Sequence, residues 1–422
     1  MNEEFLHYIW QHKLYKPELT TVAGEQMEVI HPGTRNTDGG PDFFNAKIKI
    51  DDTLWAGNVE IHQNEKEWYE HQHHKDSTYN NVILHVVEQH TSSTLNSKER
   101  EIPVCQIEIS PELRNNYQQL YFNESWIPCA DAISAVQDFT LHQWIDRLLI
   151  EKLQEKSLLI ESLLEESNNN WDQVFFVLLC RSFGFGINGL PFELMARQTP
   201  FNTILKHADN LFQVEAILFG QAGFLANAMT DNYSIALKKE YEFLRKKYNF
   251  KPIEQHLWKF LRLRPANFPT IRLAQLAQLI VYTKGCFDTL LNLQNKKHPL
   301  TLIDITVSDY WKNHYRLNTQ SSNSSNKTLG KPSRLRIIYN TIIPYLFIYS
   351  AKHHNEVQKE KIIDYLYQQP AEKNIIIDKW AELGIISENE AQAQALIYLK
   401  KTYCNNKKCL SCRIGHEVLC KR

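Results

Sequence analysis

"GGPDFFNAKIKIDDTLWAGNVEIHQNEKEWYEHQHHKD" runs from Gly39 to Asp76. Within it, Phe43–Ile50 alternates apolar and polar residues and ends at the turn-forming pair Asp51-Asp52. Leu54–His62 follows as a second strand. A hairpin about that pair returns the second strand alongside the first, so Asp42, at the entry of one strand, and Glu60, near the end of the next, are expected to face each other. His62 lies two residues beyond Glu60 and shares its side of the strand. Two acids converging from neighbouring strands suit Mg2+ or Mn2+, which take oxygen ligands and share the phosphate of a substrate. The competing reading is a turn-rich loop with a locally capping Asp and a solvated Glu.

The flanking sequence extends the pattern. Residues 2–15 carry apolar side chains at helical spacing, "QMEVIHPG" reads as a strand, and Asn80–His90 and Arg100–Ser110 read as two more. The order is helix, three strands, short helix, strand, strand. From about Phe139 the periodicity is helical almost throughout. "LHQWIDRLLIEKLQEKSLLIESLLEE" reads as one long amphipathic helix and Ile337–Ala351 as a buried one. "SFGFGINGLPFELMA" (Ser182–Ala196) lacks the Lys-Ser/Thr of a phosphate loop and reads as a tight helix–helix connection. Asn318–Ser333, rich in Ser and Asn, reads as an exposed linker. The expected division is residues 1–130 as an α/β domain, 131–400 as a helical domain and 401–422 as a cysteine-rich metal-binding tail.

The 422 residues are 43% hydrophobic and 23% charged, with a formal net charge of −1. That composition is globular and excludes a polycation, so nucleic-acid binding would need a local basic face. The opening "MNEEFLHYIW" has no signal-peptide core, and no apolar run is long enough to span a membrane. A cytoplasmic protein with no membrane partner is expected. Oligomeric state is left open.

Three further groups stand out. "WYEHQHHKD" packs His71, His73, His74 and Asp76 together. On a helix His71 and His74 would share a face, and with His85 from the next strand they could reach a metal or a scissile phosphate. For any one histidine a polar rim is the simpler reading. Cys404, Cys409, Cys412 and Cys420 cluster near the C-terminus, where four thiolates suit Zn2+ or a [4Fe–4S] cluster. His416 is a substitute ligand. Arg262, Arg264 and Arg272, with Lys331, Arg334 and Arg336, form basic stretches beside aromatic residues that could hold a phosphate backbone, DNA ahead of RNA. Each taken alone reads as a solvated face.

"GPDF" and "VEIH", set in that strand order, resemble the PD-(D/E)xK nuclease core, with His62 in the place of that family's lysine. The resemblance implies Asp42 and Glu60 as metal ligands, an acid from the first helix (Glu3 or Glu4, with Glu4 taken as the candidate), and His62 as an acid–base or water-orienting group. The chain as a whole resembles the DUF2851 family, common in Bacteroidetes, through "HPGTRNTDGGPDFFNAKIKI", "WAGNVEIH", "WYEHQHHKDSTYNNVILHVV" and "YCNNKKCLSC". The function expected is metal-dependent phosphodiester hydrolysis on nucleic acid. The alternatives are a non-catalytic nucleic-acid-binding or scaffold protein on a degenerate nuclease core, and a zinc hydrolase using the histidines.

Overall fold

The computed structural model describes residues 3–286, 288–291, 301 and 303–421. The chain forms two compact units. The first is Met1–Asp146 with Lys373–Ile386 and Leu396–Arg422, and the second is Arg147–Glu372 with Ser387–Ala395. A boundary near residue 130 and a separate tail were expected. Instead residues 396–422 fold with the first unit. Lys400 Nζ donates to the Trp126 carbonyl at 2.6 Å, Asn116 Nδ2 to the Leu419 carbonyl at 3.1 Å, and Trp380 Nε1 to the Leu396 carbonyl at 3.1 Å.

In the first unit, helix α1 (Glu3–Gln11) buries Phe5, Leu6, Ile9 and Trp10 completely. It precedes strands β1 (Leu19–Thr20), β2 (Gln26–His31), β3 (Thr34–Arg35), β4 (Phe43–Ile50) and β5 (Thr53–Asn64). Helix α2 (Glu67–Glu70) leads to β6 (Val82–Gln89). The short strands β7 (Thr94–Leu95), β8 (Glu101–Ile102) and β9 (Val104–Gln106) follow. The main sheet is seven-stranded in the order β1-β2-β4-β5-β6-β9, with β3 on β4. β2, β4 and β5 run antiparallel, whereas β5, β6 and β9 run parallel. The mixed sheet followed by helices is the expected class. Antiparallel neighbours need only a hairpin, and the parallel pair β5–β6 is reached through the crossover holding α2. Val59, Glu60, Ile61 and His62 are all buried, so the centre of β5 is covered on both faces and its polar side chains must find partners there.

The second unit is helical. Gly220 allows close packing of two helices, because a Cβ there would fall 2.1 Å from the Tyr241 ring. The long helix expected after Phe139 is two, Asp138–Gln154 and Ser157–Glu166. The chain breaks at Lys156, whose Nζ turns to the carbonyl of Asn340. The Ile337–Ala351 stretch is helical and buried, and it passes through a π-turn at Ile338–Ile342 just before Pro344. The wider turn accommodates the proline's missing donor. Asn318–Ser333 is not a free linker: Lys327 is buried, and its Nζ donates to the carbonyls of Trp311 and Lys312 at 2.5 and 2.6 Å.

Candidate metal centres

The Asp51-Asp52 hairpin forms, with Ile50 opposite Thr53 and Ala46 opposite Gly57. Continued unbroken, that register would set Asp42 opposite Ile61. Beyond Ala46 it slips, so that Phe43 faces Val59. The extra residue lies in β4, where Asn45 takes a left-handed conformation (φ 58°). This bulge brings Asp42 beside Glu60. The two residues lock reciprocally. The Asp42 amide donates to Glu60 Oε2 at 3.0 Å, and the Ile61 amide donates to Asp42 Oδ2 at 2.9 Å.

Helix α1 adds Glu3 and His7, one turn apart on the same face. His7 Nε2 lies 3.1 Å from Asp42 Oδ2 and 3.6 Å from Glu3 Oε1. Glu3, His7 and Asp42 each offer a ligand atom within 4.8 Å of the others. The helix acid is therefore Glu3. Glu4, the candidate from sequence, is on the exposed side of α1, among the residues lining a separate cavity with Tyr121 and Lys407.

The histidine knot folds differently from the helix expected. Helix α2 ends at Glu70, and Gln72 is left-handed (φ 62°) before a 3-10 turn over His73–Lys75. Helical spacing therefore fails after His71, and His73, rather than His74, turns inward. His73 Nε2 lies 3.2 Å from Glu60 Oε1. His74 instead packs on the Tyr69 ring at 5.0 Å. Asp76 caps the following turn by accepting from the Thr78 amide at 2.8 Å. His62, His71 and His73 form the second group with ligand atoms within 4.8 Å of one another. His71 Nδ1 and His62 Nε2 are 3.3 Å apart, which is about the ligand spacing of a tetrahedral site with ~2.05 Å bonds. Glu60 lies in neither set. It stands between them, with one oxygen on the Asp42 amide and the other 3.2 Å from His73 and 3.6 Å from His62.

Behind His62 runs a buried chain that sequence reasoning did not find. Glu65 is fully buried and accepts from the amides of Thr91 and Ser92 at 3.1 and 2.9 Å. The Thr94 hydroxyl donates to Glu65 Oε1 at 2.9 Å. That hydroxyl has one proton and has given it to Glu65, so it must accept from His85 Nδ1, 2.9 Å away. His85 Nε2 then accepts from His62 Nδ1 at 2.8 Å. Each neutral ring's tautomer follows from the one behind it. The series ends with the lone pair of His62 Nε2 aimed at the carboxylate and the other histidines. No local sequence pattern signals a chain assembled from Glu65, Thr94 and His85. The Glu3/His7 pair, by contrast, is readable as an i, i+4 face.

Electrostatics follow the geometry. Burial, then the Asp42 charge, raises the pKa of Glu60. Burial, then the neighbouring His85, His73 and His71, pushes His62 far below the usual imidazole range. His62 thus presents Nε2 to the pocket as a neutral acceptor. Burial also lowers His85, to about 4. Glu65 is held low although burial alone would raise it, because the Ser92 and Thr91 amides outweigh that effect.

The cysteines regroup as well. Cys404 is electrostatically close to Cys129, Cys412 and Cys409, and Cys129 to Cys412 and Cys409. A Cβ on Gly415 would fall 2.2 Å from the Cys409 carbonyl, so the start of the last helix, Arg413–Leu419, lies directly on the Cys409 turn. The amides of Ile414 and Gly415 donate to the Cys412 sulfur. Cys420, expected as the fourth member, lies elsewhere: its sulfur is 3.9 Å from His416 Nε2, and His416 Nδ1 bonds the Tyr8 hydroxyl. Among the described residues no three sulfurs fall within 4.8 Å of one another.

The basic residues sit in the second unit. Arg262, Arg264, Lys331 and Arg336 are exposed, but Arg334 pairs with Asp304 at 2.9 Å and Arg272 is buried. Arg272 is therefore not part of an exposed basic face.

A mixed sheet carrying two adjoining sets of side chains that could hold a metal ion, followed by helices, is the class of protein defined by the geometry. The chain matches the family described as "Protein of unknown function (DUF2851)" over residues 3–375, and it belongs to that family. Cys129 lies within the matched span, whereas the "YCNNKKCLSC" segment lies beyond it. No curated protein and no solved structure matches the chain. No helix among the described residues is long and apolar enough to cross a membrane.

Proposed function

We propose that the first unit is a metal-dependent phosphodiester hydrolase of the PD-(D/E)xK type, acting on nucleic acid. One observation carries this reading: the Asn45 bulge turns Asp42 towards Glu60 while α1 delivers Glu3 and His7 to the same place. An antiparallel run of three strands with a fourth parallel to the third, entered from a helix, also supports it. Glu3, His7 and Asp42 would hold Mg2+ or Mn2+, with Glu60 at its edge. Such an ion supplies charge to neutralise a phosphate and lowers the pKa of water. Glu60, buried beside the Asp42 charge, needs such a counter-charge to ionise. His62 Nε2, whose lone pair is fixed by the chain behind it, accepts a hydrogen bond from the attacking water and orients it, and the water's proton passes to solvent. The water oxygen bonds phosphorus, the ester P–O bond breaks, and the leaving oxygen is protonated from solvent.

The spacing of His62, His71 and His73 favours one alternative, a zinc hydrolase on the imidazole set. The test is cleavage of end-labelled DNA and RNA, single- and double-stranded, with Mg2+, Mn2+ or Zn2+ supplied. Mn2+-dependent cleavage lost in Asp42→Asn and kept in His71→Ala supports the nuclease reading, with DNA the substrate expected. Zn2+-dependent hydrolysis lost in His71→Ala supports the alternative. Absence of cleavage with every metal favours the non-catalytic binding reading.

We also propose that Cys129, Cys404, Cys409 and Cys412 hold a [4Fe–4S] cluster. Sulfurs around tetrahedral zinc stand ~3.8 Å apart, closer than any three found here, and a cluster spreads its four thiolates wider. Amides aimed at the Cys412 sulfur are the donors a bound thiolate uses.

A further inference from the structure

The glycine-rich connection of the second unit does more than join two helices. Gly184 closes the turn after helix Trp171–Phe183, where a Cβ would meet the Asn188 carbonyl carbon at 2.3 Å. Phe185 follows with φ 45°, a left-handed conformation disfavoured for a bulky side chain. Asn188 anchors the far end by exchanging hydrogen bonds with the Lys259 backbone at 2.9 and 2.8 Å. The connection holds the Phe185 ring beside two guanidinium groups, with Arg272 4.5 Å and Arg336 5.9 Å from its centroid.

Arg272 is 7% exposed, and its partners are neutral: Nη1 donates to Gln275 Oε1 at 2.9 Å and Nη2 to Asn267 Oδ1 at 2.7 Å. Its Nε is buried with no hydrogen-bond partner. A buried cation is ordinarily paired with an acid, and among the described residues no acid is a partner of Arg272 or Arg336. Both line a cavity of about 300 Å³ with Phe185, Leu263 and Ser333. The volume is at the lower end for small-molecule sites. Strained backbone and an unbalanced buried charge at one cavity point to a ligand rather than to packing.

We propose that this cavity binds a phosphate-bearing ligand of mononucleotide size. The phosphate pairs with Arg272 and Arg336, and the flat apolar body lies against the Phe185 and Leu263 wall. Guanidinium forks match phosphate oxygens geometrically, and the missing negative charge is what the ligand supplies. The site lies wholly within the second unit and does not depend on the hydrolase reading.

Titration calorimetry on the full chain tests it, with inorganic phosphate, AMP, adenosine and a 5′-phosphorylated DNA trinucleotide as probes. AMP should bind at least tenfold more tightly than phosphate, and adenosine should not bind at the same concentrations. Equal binding of the trinucleotide identifies a strand end as the natural source, and its exclusion identifies a free nucleotide. Arg336→Ala, at an exposed position that leaves the fold intact, should weaken AMP binding tenfold or more. Phe185→Gly relieves the left-handed backbone, so it should melt no lower than the parent and still bind AMP more weakly. Failure of AMP to bind the parent, or equal binding by parent and Arg336→Ala, overturns the proposal.

Discussion

Glu60 and His62 are two residues apart on one strand face, and both would be costly to bury alone. Each is handled by a different device. Glu60 shares the Asp42 amide and lies beside two imidazoles. His62 is oriented through two further side chains that end on a buried carboxylate. Thr94 is the link that decides the tautomers, because its single proton goes to Glu65. Thr94→Val keeps the shape and removes the link. The folded protein should survive with an unchanged circular dichroism spectrum, while metal-supported activity or metal affinity falls about 10–100-fold. Unchanged activity would show that the chain only packs the interior. Glu60 and His62 were legible as sharing one strand face because alternation fixes their side, whereas Asp42 reaches Glu60 only through the bulge at Asn45. Glu3 against Glu4, and His73 against His74, were not legible. The first choice depends on which face α1 turns inward, and the second on one left-handed residue, Gln72, that no periodicity foretells.

Among the elements, the mixed sheet was readable strand by strand, whereas the bulge at Asn45 that aligns its acids was not. A one-residue slip is invisible in alternation that continues on either side of it. The cysteine group shows the same limit. Spacing in sequence favoured Cys420, but the last helix carries Cys420 away towards His416 and Tyr8, and a loop distant in sequence brings Cys129 in. Cys129→Ser should therefore lose the bound iron, or zinc if zinc is present, as fully as Cys404→Ser does. Cys420→Ser should retain it, as read by metal analysis of anaerobically purified protein. The reverse ranking would restore Cys420 to the site.

In the helical unit, Glu215 is almost completely buried and accepts from the hydroxyls of Tyr233 and Ser308. Burial raises its pKa from 4.5 to about 7. The folded state thus holds this proton more tightly than the unfolded chain. The resulting stability is fully present below about pH 4.5 and is lost as pH rises through about 7. Glu215→Gln should stabilise the fold at pH 8 by on the order of 1–3 kcal/mol, read as a higher melting temperature, and change it little at pH 5. Equal melting of parent and variant at pH 8 would mean the carboxyl is not carrying that penalty.

At the scale of the whole molecule, length and the change from alternating to helical texture were enough to expect an α/β part followed by helices. Texture could not show that the C-terminal segment returns to the first unit, since that return rests on long-range contacts such as Lys400 with Trp126 and Asn116 with Leu419. Among the described residues, polar side chains gather at the carboxylate–imidazole pair of sets, the cysteine group and the arginine cavity. Only the first has the acids and the oriented acceptor that hydrolysis requires. Anomalous scattering from crystals grown with Mn2+ tests that assignment. A manganese peak bounded by Glu3, His7, Asp42 and Glu60, absent in Asp42→Asn crystals, is expected. Manganese bound only at His62, His71 and His73, or nowhere in the first unit, would remove Asp42 and Glu60 from the chemistry.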